Sequence, residues 1–359
     1  MAAVVTTLTS NITAPVNFVL MKGLLRSQRK KLPYFNGTKP GTLEKGQGSM
    51  SVKWRRIENL AVNTTTLGEV TGTAAAFLGR TSVQPVITDI TVAVVKKGNA
   101  ILITEEIDLF NVNSKAADLM DTLGANAGES LNVLMRNVYS DATQVRRAAA
   151  QTTDSSIGAA ISLNDIKSAV NTLNRQSASK FTSMATGSQN YNSQPVRESY
   201  KGISHVDVEE DIRALTGFIG VEQYGGYTET DTFEFGAVGG VRWSSTEIAP
   251  VSTDAATLGS GVGLRGTGLT ARDIYSTFVY GTDAIGTVGL GNAHATNNQE
   301  MYDSKKPPAT EIIYHKPGSS GAFDMFNEIG SIAWKTWFAG KILNEAWIVN
   351  IKTGASALG

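Results

Sequence analysis

The sequence predicts a protein of the α+β class, and two hydrophobic patterns support that prediction. Runs of β-branched and aromatic residues over 51–57 and 86–104 predict two β arms. Apolar residues step by three or four over 114–149, which predicts one long amphipathic helix. A second helix is predicted at 163–176. Further strands are predicted at 203–208, 232–248 and 273–280, and residues 329–352 are predicted to form two strands or a strand after a short helix.

Composition restricts the chemistry open to the chain. Its 359 residues are 41% hydrophobic, the usual share for a globular protein, and they include no cysteine. Disulfides, thiolate zinc sites and cysteine nucleophiles are therefore excluded, and a reducing cytoplasm is the expected compartment. No apolar run reaches about 18 residues, so no membrane span is expected. Residues 1–15 lack the charge pattern of a secretory signal.

Charge is balanced overall but unevenly distributed. Residues 1–56 hold ten Lys and Arg side chains and one acidic side chain, a net charge of +9. The other 303 residues hold 22 basic and 31 acidic groups, a net charge of −9. A basic arm on an acidic body favours contact between copies of the chain, or between the arm and a polyanion. A solvated tail is the alternative.

The basic arm contains one short helical signal. Pro15 stands at its start, and Val16, Val19, Leu20 and Leu24 form an apolar stripe. Leu32 precedes a proline, which ends the helix there. Residues 34–50 are rich in turn residues and predict an extended strap. Four basic side chains close the helix and are candidates to contact a neighbouring subunit or DNA: Arg26, Arg29, Lys30 and Lys31.

The two β arms predict a long hairpin. The first arm alternates Val52, Trp54 and Ile57 with basic side chains, and the second begins near Val86. The Gly, Thr and Ala-rich segment 63–84 joins them. An isolated hairpin is marginally stable in water, so this one is expected to lie on a neighbouring molecule.

The helices and loops follow in order. Ser114 is the expected N-cap of the long helix, which at about thirty residues would span about 45 Å. The second helix begins at Leu163. The Ser, Asn and Gln-rich segment 177–200 and the small-residue segment 251–270 are predicted loops, and an acidic helix start is predicted at 209–211.

The residues that could form a catalytic or metal site are better explained by structural roles. The histidines are His205, His294 and His315, and no GxSxG elbow accompanies them. His205 and Asp207, with the acidic residues at 209–211, permit a hard-metal site, but a strand-end histidine beside an acidic helix start is the preferred interpretation. We predict no catalytic, cofactor-binding or metal-binding residues, and hence no enzyme.

One glycine-rich segment matches a nucleotide-binding pattern. Gly261, Gly263 and Gly266 fit GxGxxG, which needs a preceding strand and a following helix. Too few residues separate the glycines from the β run at 273–280 to form that helix, so a loop is predicted. No nucleic-acid recognition motif is present, and any DNA contact would be to the backbone and sensitive to salt.

The order of arm, hairpin, long helix, mixed domain and closing β segment resembles the HK97-like fold of tailed-bacteriophage major capsid proteins. Short patches resemble the subfamily typified by the N-four-type coliphages. They are Ser51 to Arg56, Leu67 to Glu69, Lys97 to Asn99, Ile103 to Glu105, Glu234 to Trp243, Val279 to Ala284, Gly330 to Trp337 and Lys341 to Glu345.

This resemblance implies an organisation and a function. It implies an N-terminal arm (1–50), an extended hairpin or E-loop (51–105), a peripheral (P) domain with a spine helix (106–158 plus 327–359) and an axial (A) domain (159–326). It implies a noncatalytic virion protein that forms homo-hexamers and homo-pentamers in an icosahedral shell. The implied partners are packaged double-stranded DNA, a portal protein and a decoration or scaffolding protein, with no membrane.

The expected sites are then contacts between subunits. We predict that the basic hairpin residues pair with acidic groups on adjacent copies, and Glu69 is a further contact candidate. Solvated strand faces are the alternative interpretation. The basic candidates are Lys53, Arg55, Arg56 and Arg80. Competing functions are a tail-tube or decoration subunit, or an enzyme with an unrecognised site.

Overall fold

A computed structural model gives the architecture of most of the chain. It describes residues 32–41, 50–58, 60–64, 84–105, 115–181, 198–224, 233–256, 263–266, 271–288, 310–315, 326 and 328–357. The predicted arm helix and its four basic candidates lie outside these residues, as do Glu69, Arg80 and Ser114.

The described residues form fifteen strands and three α-helices. The helices are α1 (Lys115–Ser140), α2 (Leu163–Arg175) and α3 (Val206–Arg213). The strands are β1 (Lys39–Gly41), β2 (Ser51–Ile57), β3 (Ile87–Ala93), β4 (Val95–Thr104), β5 (Val145–Arg147), β6 (Tyr200–His205), β7 (Ile219–Gly220), β8 (Glu234–Val238), β9 (Val241–Thr246), β10 (Val251–Ala256), β11 (Arg272–Tyr280), β12 (Ile285–Val288), β13 (Thr310–His315), β14 (Ile329–Ile342) and β15 (Ile348–Thr353).

The predicted hairpin is present, and its second arm continues into the body. β2 and β3 pair antiparallel from Ser51 opposite Ala93 to Ile57 opposite Ile87. After Val94 the chain enters β4, which pairs antiparallel with β14 from Val95 opposite Phe338 to Thr104 opposite Ile329. The hairpin therefore projects from a five-stranded sheet that contains β1, β12, β14, β13 and β4.

Helix α1 packs on this five-stranded sheet along a single stripe. Met120, Leu123 and Ala127 are buried against Ile332 and Trp334 of β14. Farther along α1, Leu131 and Met135 join a second cluster that includes Tyr34 and Phe35. Burial at steps of three or four residues is what the sequence pattern predicts for one face of a helix.

The long helix is shorter than predicted. It ends at Ser140 and spans about 39 Å, whereas the hydrophobic period continued to 149. Residues Val145–Arg147 instead pair parallel with Asn350–Lys352 as β5. Ala149 has a φ of 53°, outside the right-handed helical region. Pairing with the distant strand β15 therefore outweighs the helical hydrophobic pattern at residues 145–147.

The segment after Leu32 is more integrated than the predicted strap. Tyr34 is completely buried, and β1 pairs parallel with β12, Lys39 opposite Gly286. The prediction of a simple extended strap over 34–50 is therefore wrong for residues 34–41, because aromatic side chains anchor them to the core.

An eight-stranded sheet forms the second core. Its order is β5-β15-β11-β6-β9-β8-β7, with β10 beside β11. Helix α2 begins one residue after Ser162 with a complete capping box to Asp165, and Ile166, Ala169 and Leu173 pack into the core. Helix α3 begins at Val206, three residues earlier than the predicted acidic start.

The prediction for the C-terminal segment is confirmed, and the predicted loop over 251–270 is partly wrong. The C-terminal segment forms two strands, β14 and β15, as one of the sequence alternatives has it. The predicted loop over 251–270 is wrong for Val251–Ala256, which pairs antiparallel with β11 as β10. A dinucleotide site needs a helix after the glycine pattern, but residues 272–280 form a strand.

The strand pairing also bears on the predicted domain boundaries. β15, assigned by sequence to the P domain, pairs with β11, which was assigned to the A domain. The four-part division remains a prediction. None of the helices among the described residues combines the length and apolar character needed to cross a membrane.

Candidate inter-subunit surfaces

The base of the hairpin is fixed to the body by apolar contacts. Val52 and Val94 are buried against Val288 of β12 and Ala339 of β14, with Trp54 packed beside them. The Trp54 ring lies over Gly41, where an added Cβ would come within 2.6 Å of the indole. A glycine at this position therefore lets the first strand of the body pass close beneath the hairpin.

Among the described hairpin residues, those farthest from the body are exposed and apolar. Five large side chains there are each more than half exposed, and Val62 reaches 90%. These five residues, which we call the distal patch, are Ile57, Leu60, Val62, Val86 and Ile87. A patch of this kind on a projecting element marks a surface that a partner can cover.

The predicted basic contact residues of the hairpin have partners within the chain. Lys53 Nζ lies 2.6 Å and Arg55 Nε 2.9 Å from Asp89 on the paired strand. Hydrogen bonds from Arg55 and then Lys53 lower the pKa of Asp89 to about 2. Because two cations share one carboxylate, this cluster keeps a net charge of +1.

Arg56 points to the other side of the hairpin, toward the body. Its guanidinium lies 2.6 Å from a carboxylate oxygen of Glu58 and donates to the backbone carbonyl of Leu343 at 3.2 Å. All three basic side chains of β2 keep at least a third of their surface exposed, so they remain accessible to a neighbouring molecule. Their contact with adjacent copies stays a prediction.

His205 and Asp207 occupy the strand-to-helix junction that the sequence indicated. His205 ends β6, and its Nδ1 accepts a hydrogen bond from the backbone N–H of Asp207 at 3.0 Å, which caps α3. The Asp207 carboxylate accepts from the Tyr275 hydroxyl and pairs with Arg265, each at 2.9 Å. Burial lowers the pKa of His205. A neutral cap is the role that this geometry supports.

One groove on the surface was not predicted from the sequence. A groove lies where the hairpin meets the body, lined by Lys39, Trp54, Arg55, Arg56, Ile90, Asp283, Leu343, Asn344 and Trp347. These residues come from β1, β2, β3 and two turns far apart in the chain. Sequence reasoning identified Trp54, Arg55 and Arg56 but had no signal to bring the other segments beside them.

Comparison with solved structures identifies the fold. The chain superposes on the capsid of Ralstonia phage GP4 with a TM-score of 0.63 and 12% identity, covering 92% of this chain and 93% of that one. The head of Helicobacter pylori bacteriophage KHP40 gives a TM-score of 0.52 at 12% identity, with 91% of each chain covered. The capsid of cyanophage P-SCSP1u gives 0.51 at 10% identity, with 90% and 89% covered.

These comparisons define the structural class. No family model and no curated protein matches the sequence. The chain has the fold of phage capsid proteins along nearly its whole length, and the predicted HK97-like α+β class is confirmed.

Proposed function

We propose that this chain is a major capsid protein that assembles into the icosahedral shell of a tailed bacteriophage. The observation that carries the proposal is the hairpin, which is seated on the body at Trp54 and exposes the distal patch. The capsid fold supports the same function. In a shell, the distal patch would be buried on an adjacent subunit within hexamers and pentamers.

The energetic reason for assembly is the burial of this patch. Removing apolar surface from water is favourable by about 25 cal/mol per Å², and one chain cannot realise that gain for a hairpin projecting away from its own core. A closed lattice repeats each contact in every copy, so small contributions from the hairpin charges also accumulate.

The proposal includes finer assignments that rest on the sequence resemblance. The short patches between Ser51 and Glu345 support the N-four-type subfamily. The virion is the proposed location, after assembly in the bacterial host cytoplasm, and the role is noncatalytic. Packaged double-stranded DNA, a portal protein and a decoration or scaffolding protein are the proposed partners, with the basic residues of segment 26–31 facing DNA or a neighbouring subunit.

Electron microscopy of the purified, overexpressed protein tests this function. Closed shells, or rings of five and six subunits, are the expected particles. Tubes alone would favour a tail-tube subunit, and particles no larger than a monomer at high concentration would contradict a shell function. The 26-residue helix α1 argues against the tail-tube alternative, because proteins of that class are dominated by β structure.

A further inference from the structure

The groove at the hairpin base has the size of a single aromatic ring. Its volume is about 160 Å³. Apolar cavities on the order of 150 Å³ accept one benzene molecule. Trp54, Ile90, Leu343 and Trp347 supply its apolar lining, so an aromatic side chain is a chemically suitable occupant.

The charged lining of the groove leaves a positive surplus. Lys39 pairs with Asp283 at 2.8 Å, and Arg56 pairs with Glu58. Arg55 has to share Asp89 with Lys53, which leaves one positive charge without a counter-charge in that cluster. An occupant that brings carboxylates beside an aromatic ring would therefore complement the groove.

Phe326 has these properties. Its side chain is 82% exposed and is the one aromatic among the strongly exposed large hydrophobic side chains of the described residues. Two acidic residues accompany it, because the backbone N–H of Glu105 donates to the carbonyl of Glu328 at 2.8 Å.

Phe326 cannot fill the groove of its own chain. It lies three residues before β14, whereas Leu343 follows the last residue of that strand. A strand of 14 residues at about 3.3 Å per residue holds the two sites about 46 Å apart. The complementary surfaces thus lie at opposite ends of β14, an arrangement that produces head-to-tail contacts and, where the rotation closes, rings.

We infer that Phe326 of one copy inserts between Trp54 and Trp347 of a neighbouring copy, with its flanking carboxylates against the basic lining of the groove. This contact rests on the proposed shell function and specifies one of its subunit interfaces. It is separate from the distal patch, which lies farther out on the hairpin.

Disulfide trapping tests the contact, because the natural chain has no cysteine. Phe326→Cys and Ile90→Cys subunits of different tag length are mixed, assembled and oxidised. A mixed disulfide dimer is expected in shells and not in the dissociated mixture. Val206→Cys replaces Phe326→Cys as the matched control, since Val206 is an exposed apolar residue on α3, away from the groove.

Assembly measurements provide a second readout that does not depend on cysteine chemistry. Phe326→Ala should raise the subunit concentration needed for assembly at least tenfold, Phe326→Leu should restore most of the loss, and Val206→Ala should change nothing. Shells that assemble from the Phe326→Cys and Ile90→Cys subunits but give no mixed dimer on oxidation, or a Phe326→Ala variant that assembles like wild type, would overturn this contact alone. Failure of the wild-type chain to form shells would instead overturn the proposed function and the contact together.

Discussion

Tyr139 donates its phenolic hydroxyl to the backbone carbonyl of Tyr34 at 3.0 Å, and the two rings pack edge to face with centroids 5.0 Å apart. Both side chains are completely buried. This contact joins the start of the described chain to the last turn of α1. It therefore holds the segment around Tyr34 and Phe35 against the core of the body.

Removing this hydroxyl should destabilise the subunit. Tyr139→Phe leaves a buried carbonyl without that donor, which costs about 1–3 kcal/mol of unfolding free energy. Urea denaturation of dissociated subunits measures the loss. Tyr34→Phe is the matched control, because the buried Tyr34 hydroxyl has no hydrogen-bond partner among the described residues. An unchanged urea midpoint for Tyr139→Phe would show that the contact contributes nothing to stability.

The Asp89 cluster should be visible as a depressed titration. Hydrogen bonds from Arg55 and Lys53 hold the pKa of Asp89 at about 2. Because the folded pKa lies below the unfolded value of 3.8, the pairing is complete above pH 3.8 and is lost as the pH falls toward 2. Carboxyl NMR titration should show this shift, and Arg55→Gln should move the pKa upward. A normal pKa in the wild-type protein would exclude the pairing.

Charge reversal separates contacts within the hairpin from contacts between subunits. Arg55→Glu together with Arg56→Glu should prevent shell formation while leaving a folded subunit, as measured by electron microscopy and circular dichroism. Arg55→Glu alone also places two carboxylates together on paired strands, because Arg55 lies opposite Asp89.

A compensating exchange resolves this ambiguity. Arg55→Glu with Asp89→Lys restores an ion pair across the strands and keeps the net charge of the cluster at +1. If adjacent subunits recognise Arg55 itself, the exchanged variant should remain defective in assembly. Recovery of normal shells would show that the charge pair serves the hairpin alone.

His205 should make subunit stability dependent on pH. Its neutral Nδ1 caps α3, and burial lowers its pKa in the folded state below the usual 6.5. A depressed histidine pKa means that the unfolded chain binds the proton more readily, so stability is retained above pH 6.5 and lost as the pH falls below it. Urea midpoints between pH 5 and 8 measure this slope. His205→Asn, which caps without titrating, should flatten it, and an unchanged slope would remove His205 as the cause.

The sequence predicted those elements whose signal is local. The alternation around Trp54, the apolar steps from Met120 to Met135, and the start of α2 at Leu163 each depend on a few neighbouring residues, so they can be identified in one chain. The hairpin and the fold class followed from them.

The incorrect predictions concern contacts between distant segments. Val145–Arg147 leave the helical pattern because β15 offers them a strand partner two hundred residues away, and Val251–Ala256 become β10 because β11 lies beside them. The groove likewise brings Lys39, Trp54 and Trp347 together from separate segments. A local hydrophobic period carries no information about such distant neighbours. Likewise, the pairing of Arg55 with Asp89 could be predicted only from the register of β2 against β3.

The distal patch provides the most direct test of the account. Val62→Cys places a single thiol at a side chain that is 90% exposed in the isolated chain. Its reaction with a maleimide should be fast in dissociated subunits and slowed at least tenfold in assembled particles, while Val206→Cys on α3 reports on particle integrity by reacting in both. Equal labelling of the Val62→Cys thiol in subunits and particles would contradict burial of the hairpin on a neighbouring copy.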